Sequence, residues 1–327
     1  MTDRAPAPSP DAAVRVTGLT KIYGNRKRGG GVPALDRVDL TIPRGSMFAL
    51  LGPNGAGKST LINILAGLVL KTAGSVQVWD YDIDRDPRSA RAAIGVVPQE
   101  LNIDSFFTAR EYLEMQAGFY GVPKSERRTA EILETVGLTD KADAYSRTLS
   151  GGMRRRLLIA KAMVHNPPIL VLDEPTAGVD IDLREQLWQN VKLLNQQGVT
   201  ILLTTHYLDE AETLCDRIAI IDHGRLVACE TRDDLLRRID SKALCVTLAE
   251  PLDSVPDLLR RYQSDLEDPH HLTIRYQTGR VDAGELLDAI RRSGIRVTDL
   301  TTREADLATV FRQLTSRRKK PAEDEYR

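Results

Sequence analysis

The sequence predicts an α/β fold in which apolar strands end in polar residues. Residues 47–51 are a short apolar strand that leads into a glycine-rich loop and then a segment with helical apolar spacing. Residues 169–174 are a second apolar strand that ends in two carboxylates. Residues 199–206 are a third, which ends in a histidine. In an open α/β sheet such strand ends face the ligand crevice, so these polar residues are expected to share one site.

The glycine-rich loop has the pattern GxxxxGK followed by a hydroxyl residue. It consists of Gly52, Pro53, Asn54, Gly55, Ala56, Gly57, Lys58, Ser59 and Thr60. Its glycines let the backbone turn sharply and aim N–H groups at phosphate oxygens, at the positive end of the following helix. Lys58 adds a charge for the β- and γ-phosphates, and Ser59 offers a hydroxyl to Mg²⁺. A turn that merely ends a strand needs no Lys-Ser pair, so a nucleoside triphosphate site is expected.

Residues at three other strand ends are the candidate catalytic and metal-binding groups. Asp173 follows four apolar residues, the Walker B pattern, and is expected to hold Mg²⁺ directly or through water. Glu174 is expected to polarise the attacking water, although buried strands also end in Asp-Glu for capping. Gln99 follows the apolar strand 94–98 and can reach a metal-bound water or the γ-phosphate, whereas alone it is an ordinary loop amide. His206 is expected in the crevice, whereas most lone histidines lie in a core or on a surface.

Composition limits the classes of partner and location. The 327 residues suffice for one large domain and a small one, and the net charge of −1 shows no bias toward nucleic acid. No apolar stretch approaches the ~18 residues that cross a bilayer, so a membrane role requires another chain. Residues 1–12 are proline-rich and predict a disordered tail rather than a secretion signal, which favours the cytosol. The three cysteines are widely spaced, which favours reduced thiols.

Several segments before residue 165 complete the predicted large domain, residues 13–238. Residues 14–16 and 35–42 alternate apolar and polar residues and predict an antiparallel sheet ahead of the loop. Tyr23 fits stacking on an adenine and half-buried packing equally well. A helical region is predicted at about residues 100–165, and its clustered aromatic residues mark either a local core or a partner surface. These aromatic residues are Phe106, Phe107, Tyr112, Phe119 and Tyr120.

The sequence also contains a second candidate anion site, formed by Ser150, Gly151 and Gly152 at the start of a predicted helix. Residues 242–316 predict a small accessory α/β domain of ferredoxin-like type, followed by a charged tail at 317–327. The accessory domain has no catalytic or metal spacing, which favours a role in dimerisation over a regulatory ligand site. Its strands are predicted at 243–248, 271–276 and 295–300, and its helices at 256–262, 283–292 and 305–314.

In chain order these motifs resemble those of the ATP-binding subunits of ABC transporters. Tyr23 corresponds to the A-loop, residues 52–60 to Walker A and Gln99 to the Q-loop. Residues 149–153 correspond to the signature, residues 169–174 to Walker B, residues 177–180 to the D-loop and His206 to the H-loop. The resemblance covers residues 14–238 and implies a P-loop ATPase core with a RecA-like mixed sheet, an N-terminal antiparallel β subdomain and a helical subdomain. Segments 150–156 and 307–311 look most like ABC-2 type exporters. Met153 departs from the glutamine of many members, but Ser150 and the glycine amides remain.

The resemblance implies a subunit that hydrolyses ATP to power a separate membrane permease, as a peripheral protein on the cytoplasmic face of the membrane. In the family, two chains enclose two ATP·Mg²⁺, and each signature closes over the partner's nucleotide, which excludes water and strengthens phosphate contacts. The resemblance assigns Glu174 as the base, His206 to the γ-phosphate, and Asp180 to coupling between the sites. Gln99 and the aromatic residues 106–120 are expected to report the nucleotide state to the permease.

Two other function classes compete with an exporter subunit. A non-transport ABC ATPase acting on nucleic acid or ribosomes usually has a coiled-coil insertion, zinc cysteines or two cassettes, and none is present in this sequence. A nucleotide-binding module without turnover does not require a general base, and the presence of Glu174 therefore argues against this class. The expected cofactors are therefore ATP and Mg²⁺, and the expected partners are a permease and a second copy of this chain, with no nucleic acid.

Overall fold

The structure is a computed structural model, which describes residues 11–24, 31–177, 179, 181–237, 242–276, 281–304 and 306–316. The chain divides into two compact units, Met1–Glu230 and Thr231–Arg327. The domain limits expected from the sequence are 13–238 and 242–316, and these limits remain a prediction. Residues 1–10 of the tail predicted at 1–12 and the tail predicted at 317–327 lie outside the described residues, whereas Ala12 already begins the first strand.

The first unit contains ten strands and seven α-helices in its described residues. In chain order these are β1 (Ala12–Ile22), β2 (Pro33–Pro43), β3 (Met47–Leu51), α1 (Lys58–Leu65), β4 (Ala73–Val78), β5 (Tyr81–Asp82), α2 (Pro87–Ala92), β6 (Ile94–Val97), α3 (Ala109–Phe119), α4 (Thr129–Thr135), α5 (Gly151–Met163), β7 (Ile169–Asp173), α6 (Ile181–Gln196), β8 (Thr200–Thr204), α7 (Leu208–Leu214), β9 (Arg217–Asp222) and β10 (Arg225–Thr231).

An antiparallel sheet precedes the glycine loop, as the sequence predicts. Its strand order is β2-β1-β4-β5, and β1 pairs antiparallel with both β2 and β4. Val14 and Val16 of β1 lie opposite Val78 and Val76 of β4, and all four side chains are buried. The alternation of β1 therefore places one face of the strand in the core. Strands β4 and β5, which return to this sheet after α1, were not among the predicted elements.

A six-stranded sheet of order β10-β9-β3-β8-β7-β6 forms the centre of the first unit. The neighbouring pairs β9–β3, β3–β8, β8–β7 and β7–β6 are parallel. Every residue of β3 is buried, as expected for a parallel strand that is covered on both faces. Because parallel strands end at the same edge, the residues that follow β3, β6, β7 and β8 are brought toward one another.

The predicted helical region contains α3, α4 and α5. Helix α3 begins at a capping box in which Thr108 and Glu111 satisfy each other's backbone N–H groups. The clustered aromatic residues do not share one environment, since Phe106 is 77% exposed whereas Tyr112 is only 5% exposed. The Tyr112 hydroxyl donates to the carbonyl of Asn102 at 3.3 Å. Of the two alternatives, local core and partner surface, Tyr112 therefore belongs to the core, because it lies on the buried side of α3.

The second unit contains a β-α-β-β-α-β succession, whereas the sequence predicts three strands that alternate with three helices. Its elements are α8 (Arg232–Arg237), β11 (Lys242–Leu248), α9 (Asp257–Arg260), β12 (Gln263–Asp268), β13 (His271–Tyr276), α10 (Ala283–Arg292), β14 (Val297–Glu304) and α11 (Leu307–Ser316). The sheet order is β12-β13-β11-β14, with antiparallel pairs, which is the split β-α-β topology of ferredoxin-like domains. Its core is built by the residues Leu244, Val246, Leu272, Ile274 and Leu286. Strand β12 was not predicted.

Across the described residues, no helix combines the length and the apolar character that a bilayer crossing requires.

Candidate nucleotide-binding and catalytic site

The glycine loop is packed so closely that two of its glycines have no room for a side chain. A Cβ on Gly52 would lie 2.3 Å from the carbonyl oxygen of Ile221. A Cβ on Gly57 would lie 2.5 Å from the carbonyl oxygen of Ala34, and Gly57 has a φ of +110°, in the left-handed region that favours glycine. Gly57 is also the residue before α1, which starts at Lys58. The packing thus holds the loop at the N-terminus of α1, where free N–H groups attract anions.

Lys58 is an unusually buried cation, with 8% of its surface exposed. Its ammonium donates to the carbonyl oxygen of Gly52 at 2.6 Å and to that of Pro53 at 3.2 Å. Burial lowers the pKa of Lys58, and the carboxylates of Glu174 and Asp173 oppose that shift. A partly desolvated ammonium interacts more strongly with an anion than a hydrated one does, so Lys58 is well suited to a phosphate.

One cleft of about 630 Å³ joins the loop to the strand ends of the parallel sheet. Eleven of the site residues predicted from the sequence line this cleft together with Ala34: Asn54, Gly55, Ala56, Gly57, Lys58, Ser59, Thr60, Gln99, Asp173, Glu174 and His206. Gly52 and Pro53 adjoin it through the carbonyls that bind the Lys58 ammonium.

Three of the predicted catalytic residues meet at one carboxylate oxygen. The Oε2 atom of Glu174 accepts a hydrogen bond from Nε2 of Gln99 at 3.0 Å. The Nδ1 atom of His206 lies 3.3 Å from the same oxygen. The side chain of Glu174, directly after β7, is only 15% exposed. The strand ends therefore place an amide and an imidazole within hydrogen-bond reach of one carboxylate oxygen.

The signature residues lie outside the lining of this cleft. Ser150 caps the N-terminus of α5, where its hydroxyl accepts from the N–H of Met153 at 3.3 Å. Ser150 and Gly151 are exposed and Gly152 is partly exposed. Tyr23 is likewise outside the lining, and its ring lies 4.7 Å from the Nζ atom of Lys21. Asp180 falls outside the described residues.

Sequence reasoning missed Arg155, which links the signature helix to the Q-loop. Its guanidinium donates through Nη1 to the carbonyl of Pro98 at 3.0 Å and to that of Gln99 at 2.8 Å. The residue is only 4% exposed, and burial lowers its pKa. The signal for this contact is helical spacing, since Arg155 shares a buried face of α5 with Leu158, Ile159 and Ala162.

Comparisons with known proteins agree with this site. The family model for ABC transporters matches residues 35–177. The daunorubicin/doxorubicin resistance ATP-binding protein of Streptomyces peucetius is 37% identical over 96% of this chain and 95% of its own length. The linearmycin resistance ATP-binding protein of Bacillus subtilis is 34% identical, over 91% of this chain and 97% of its own. The Nod factor export ATP-binding protein I of Ralstonia nicotianae is 36% identical, over 94% and 97%.

Solved structures give the same result for the fold of the first unit. The ATP-binding subunit of an ABC transporter matches with a TM-score of 0.61 and 31% identity, over 69% of this chain and 92% of that one. A dimeric ATP-binding cassette in a post-hydrolysis state, bound to ADP and phosphate, matches with a TM-score of 0.60 and 31% identity, over 67% of this chain and 98% of that one.

The cleft and the sheet thus define a P-loop ATPase of the ATP-binding cassette class. Within that class, the chain belongs to the ATP-binding subunits of ABC transporters, in the branch of the ABC-2 type exporters. The relatives support an ATP-hydrolysing export subunit, and they do not support the alternative of an ATPase acting on nucleic acid or ribosomes.

Proposed function

We propose that the cleft hydrolyses ATP bound with Mg²⁺ and that two copies of the chain couple this reaction to a membrane permease. The observation that carries the proposal is the single cleft that combines the phosphate loop with Gln99, Asp173, Glu174 and His206. A phosphate loop alone supports binding, whereas an added carboxylate base and polar partners for the γ-phosphate support turnover.

The loop would hold the triphosphate through backbone N–H groups and Lys58. In this proposal residues 52–60 surround the β- and γ-phosphates, and Lys58 exchanges its bonds to loop carbonyls for bonds to phosphate oxygens. Charge-assisted hydrogen bonds of this kind are about twice as strong as neutral ones. Tyr23 is proposed to stack on the adenine, because its exposed ring comes directly after the end of β1.

The residues of the cleft fit Mg²⁺, which prefers oxygen ligands and keeps several waters and phosphate oxygens. Ser59 offers a hydroxyl, Asp173 a carboxylate, and Gln99 its amide oxygen, since its amide nitrogen already donates to Glu174. Among the described residues, no group of three or more His, Cys, Asp and Glu could hold a metal. A cation here would therefore depend on mixed protein and phosphate oxygens. Such an ion would neutralise charge on the β- and γ-phosphates.

Glu174 is proposed as the general base. The attacking water would give a proton to the Glu174 carboxylate while its oxygen bonds to the γ-phosphorus and the bond to ADP breaks. His206 and Gln99, which both reach Oε2 of Glu174, are positioned to orient the water and the γ-phosphate. A positioned base of this kind contributes typically ~10²–10⁴ to the rate.

A second copy would complete the site with its own Ser150, Gly151 and Gly152. These residues are at least partly exposed at the N-terminus of α5 and do not line the cleft of their own chain. The dimeric cassette among the structural relatives also supports a two-copy arrangement. Asp180 is proposed to couple the two sites, and the second unit to act as an accessory domain that aids dimerisation.

A separate permease is the proposed partner in the membrane, which would place this subunit on the cytoplasmic face. Several large apolar side chains of the first unit are exposed and support protein contacts, namely Leu68, Leu70, Leu101 and Phe106. Two of them, Leu101 and Phe106, follow the Q-loop residue Gln99 closely in the chain, which supports a link between nucleotide state and docking. The relatives' names mention different compounds, so they support export as a class and not one cargo.

The proposal is tested by replacing Glu174 with glutamine, which keeps the shape but cannot accept the proton. We expect kcat for ATP hydrolysis to fall ~10²–10⁴-fold while ATP still binds, so an ATP-bound dimer accumulates on a sizing column. The matched control is Glu126→Gln, because Glu126 is exposed in a surface turn. A Glu174→Gln protein that turns over ATP at the wild-type rate would contradict the assignment.

A further inference from the structure

Thr204 is a fully buried polar residue of the central sheet. It ends β8, between Leu50 of β3 and Asp173 at the end of β7. None of its surface is exposed to solvent. A buried hydroxyl costs free energy unless its hydrogen bonds are made, so the contacts of this side chain matter to the site.

The hydroxyl of Thr204 joins the two cleft carboxylate residues. It donates to Oδ1 of Asp173 at 2.5 Å and accepts from the backbone N–H of Glu174 at 3.1 Å. An ionised carboxylate can only accept and an N–H can only donate, so the direction of both bonds is fixed. With one oxygen of Asp173 engaged by Thr204, the carboxylate is held in one orientation and its other oxygen remains for a ligand.

The backbone of Glu174 needs this support. Its φ is +46°, in the left-handed region, which is unfavourable for a residue with a side chain. The N–H of Glu174 donates to both the carbonyl oxygen and the hydroxyl of Thr204, each at 3.1 Å. Two acceptors from one residue thus stabilise the turn that directs Glu174 away from the strand and into the cleft.

We infer that Thr204 is a positioning residue that sets both the metal-binding carboxylate and the catalytic base, an inference that rests on the proposed function of this cleft. Through one hydroxyl it orients Asp173 toward Mg²⁺ and holds the peptide from which the Glu174 side chain extends. A group that orients a metal ligand without touching the metal typically changes metal affinity or activity by about 10–100-fold when removed.

The test compares three variants of the full chain. Thr204→Val has nearly the same shape and lacks both hydrogen bonds, whereas Thr204→Ser keeps the hydroxyl. Thr200→Val is the matched control, because Thr200 is also fully buried, starts the same strand, and accepts from the N–H of Gly45 at 2.9 Å. Three quantities are measured: kcat and KM, ATP affinity by calorimetry with Mg²⁺ and with a chelator, and the melting temperature.

We expect Thr204→Val to lower kcat about 10–100-fold and to lose most of the gain in ATP affinity that Mg²⁺ gives, with metal-free ATP affinity unchanged. Thr204→Ser should restore both. Thr200→Val should lower the melting temperature and leave both quantities at wild-type values. The inference is overturned if Thr204→Val keeps the Mg²⁺-dependent gain, or if Thr200→Val loses it equally. Failure of the proposed function is a separate result, since it appears as a wild-type chain without turnover or a Glu174→Gln variant with normal turnover.

Discussion

The nucleotide cleft and the signature segment differ in how completely one chain builds them. In the cleft, residues after β3, β6, β7 and β8 converge, and Gln99 and His206 both reach the carboxylate of Glu174. At the signature, the Ser150 hydroxyl accepts from the N–H of Met153 in its own helix, and the neighbouring Gly151 is exposed. The edge of a parallel sheet gathers distant residues, whereas a helix N-terminus presents its N–H donors outward. A single chain therefore builds one half of the proposed catalytic centre and exposes the other half.

The two regions are nevertheless connected within the chain. Arg155, one turn into the signature helix, donates to the carbonyls of Pro98 and Gln99 beside the cleft. Breaking these bonds would leave a buried charge without partners, which is costly. Movement of the signature helix is therefore expected to move the backbone that carries Gln99.

The largest expected difference between the regions is in ATP affinity of the isolated chain. Lys58→Ala removes the buried cation of the cleft, and we expect ATP to bind about 100-fold more weakly, because a charge-assisted phosphate contact is lost. Ser150→Ala changes the region that acts on the partner's nucleotide, so binding to the monomer should stay near wild type. Calorimetry on both variants measures this contrast.

The control for the cleft variant is Lys192→Ala, since Lys192 is exposed on α6. Equal losses of monomer affinity in Lys58→Ala and Ser150→Ala would mean that the signature contributes to the cleft of its own chain.

A smaller effect concerns His165, which joins the helical region to the central sheet. Its ring stacks on Tyr120 with centroids 3.7 Å apart, and Nε2 lies 3.2 Å from the carbonyl of Ile94. Burial lowers the pKa of His165 from 6.5 to about 4, against the opposing effect of the Ile94 carbonyl. As the pH falls, His165 therefore takes up a proton in the unfolded chain before it does so in the folded chain. The contribution of this residue to the free energy of unfolding is fully present above about pH 6.5 and is lost progressively toward pH 4.

We expect the free energy of unfolding to fall between pH 7 and pH 5 by about 1–2 kcal/mol more in wild type than in His165→Phe. Phenylalanine retains the stack on Tyr120 but cannot take up a proton. Urea unfolding at the two pH values measures the difference, and acidic groups common to both proteins cancel. Identical pH dependence in the two proteins would show that the buried ring is not the group that titrates.

The strands of the first unit were predictable where burial leaves a strong pattern. Residues 47–51 and 169–172 are continuous apolar runs because their strands are covered on both faces. Strand β12 was missed because its segment, QSDLED, contains one apolar residue, Leu266, and pairs at the edge of its sheet. Edge strands need less apolar surface, so hydrophobic periodicity predicts them poorly.

The parts of the site that have a fixed spacing in the chain could be predicted, whereas the parts that depend on strand register could not. The residues of the loop are contiguous in the chain, and so are the two carboxylates, so the sequence alone identifies both motifs. The role of Thr204 depends on which residue of β8 lies beside Asp173, and Tyr112 could be assigned to core or surface only once the packing of α3 was known. One available signal for Thr204 was a hydroxyl residue two positions before His206, directly after the apolar run 201–203.

The measurement that tests the shared catalytic centre most directly is ATPase activity of a mixture of Glu174→Gln and Ser150→Arg chains, each inactive alone. In a mixed dimer, the intact Glu174 of the Ser150→Arg chain faces the intact Ser150 of the Glu174→Gln chain, so one complete site is assembled. The account predicts that mixing raises activity well above the sum of the two variants measured separately, and that the activity depends on total protein concentration. If each chain instead uses its own signature, every site in the mixture carries one of the two substitutions. The activity of the mixture would then equal the sum of the two variants measured separately, and that result would contradict the account.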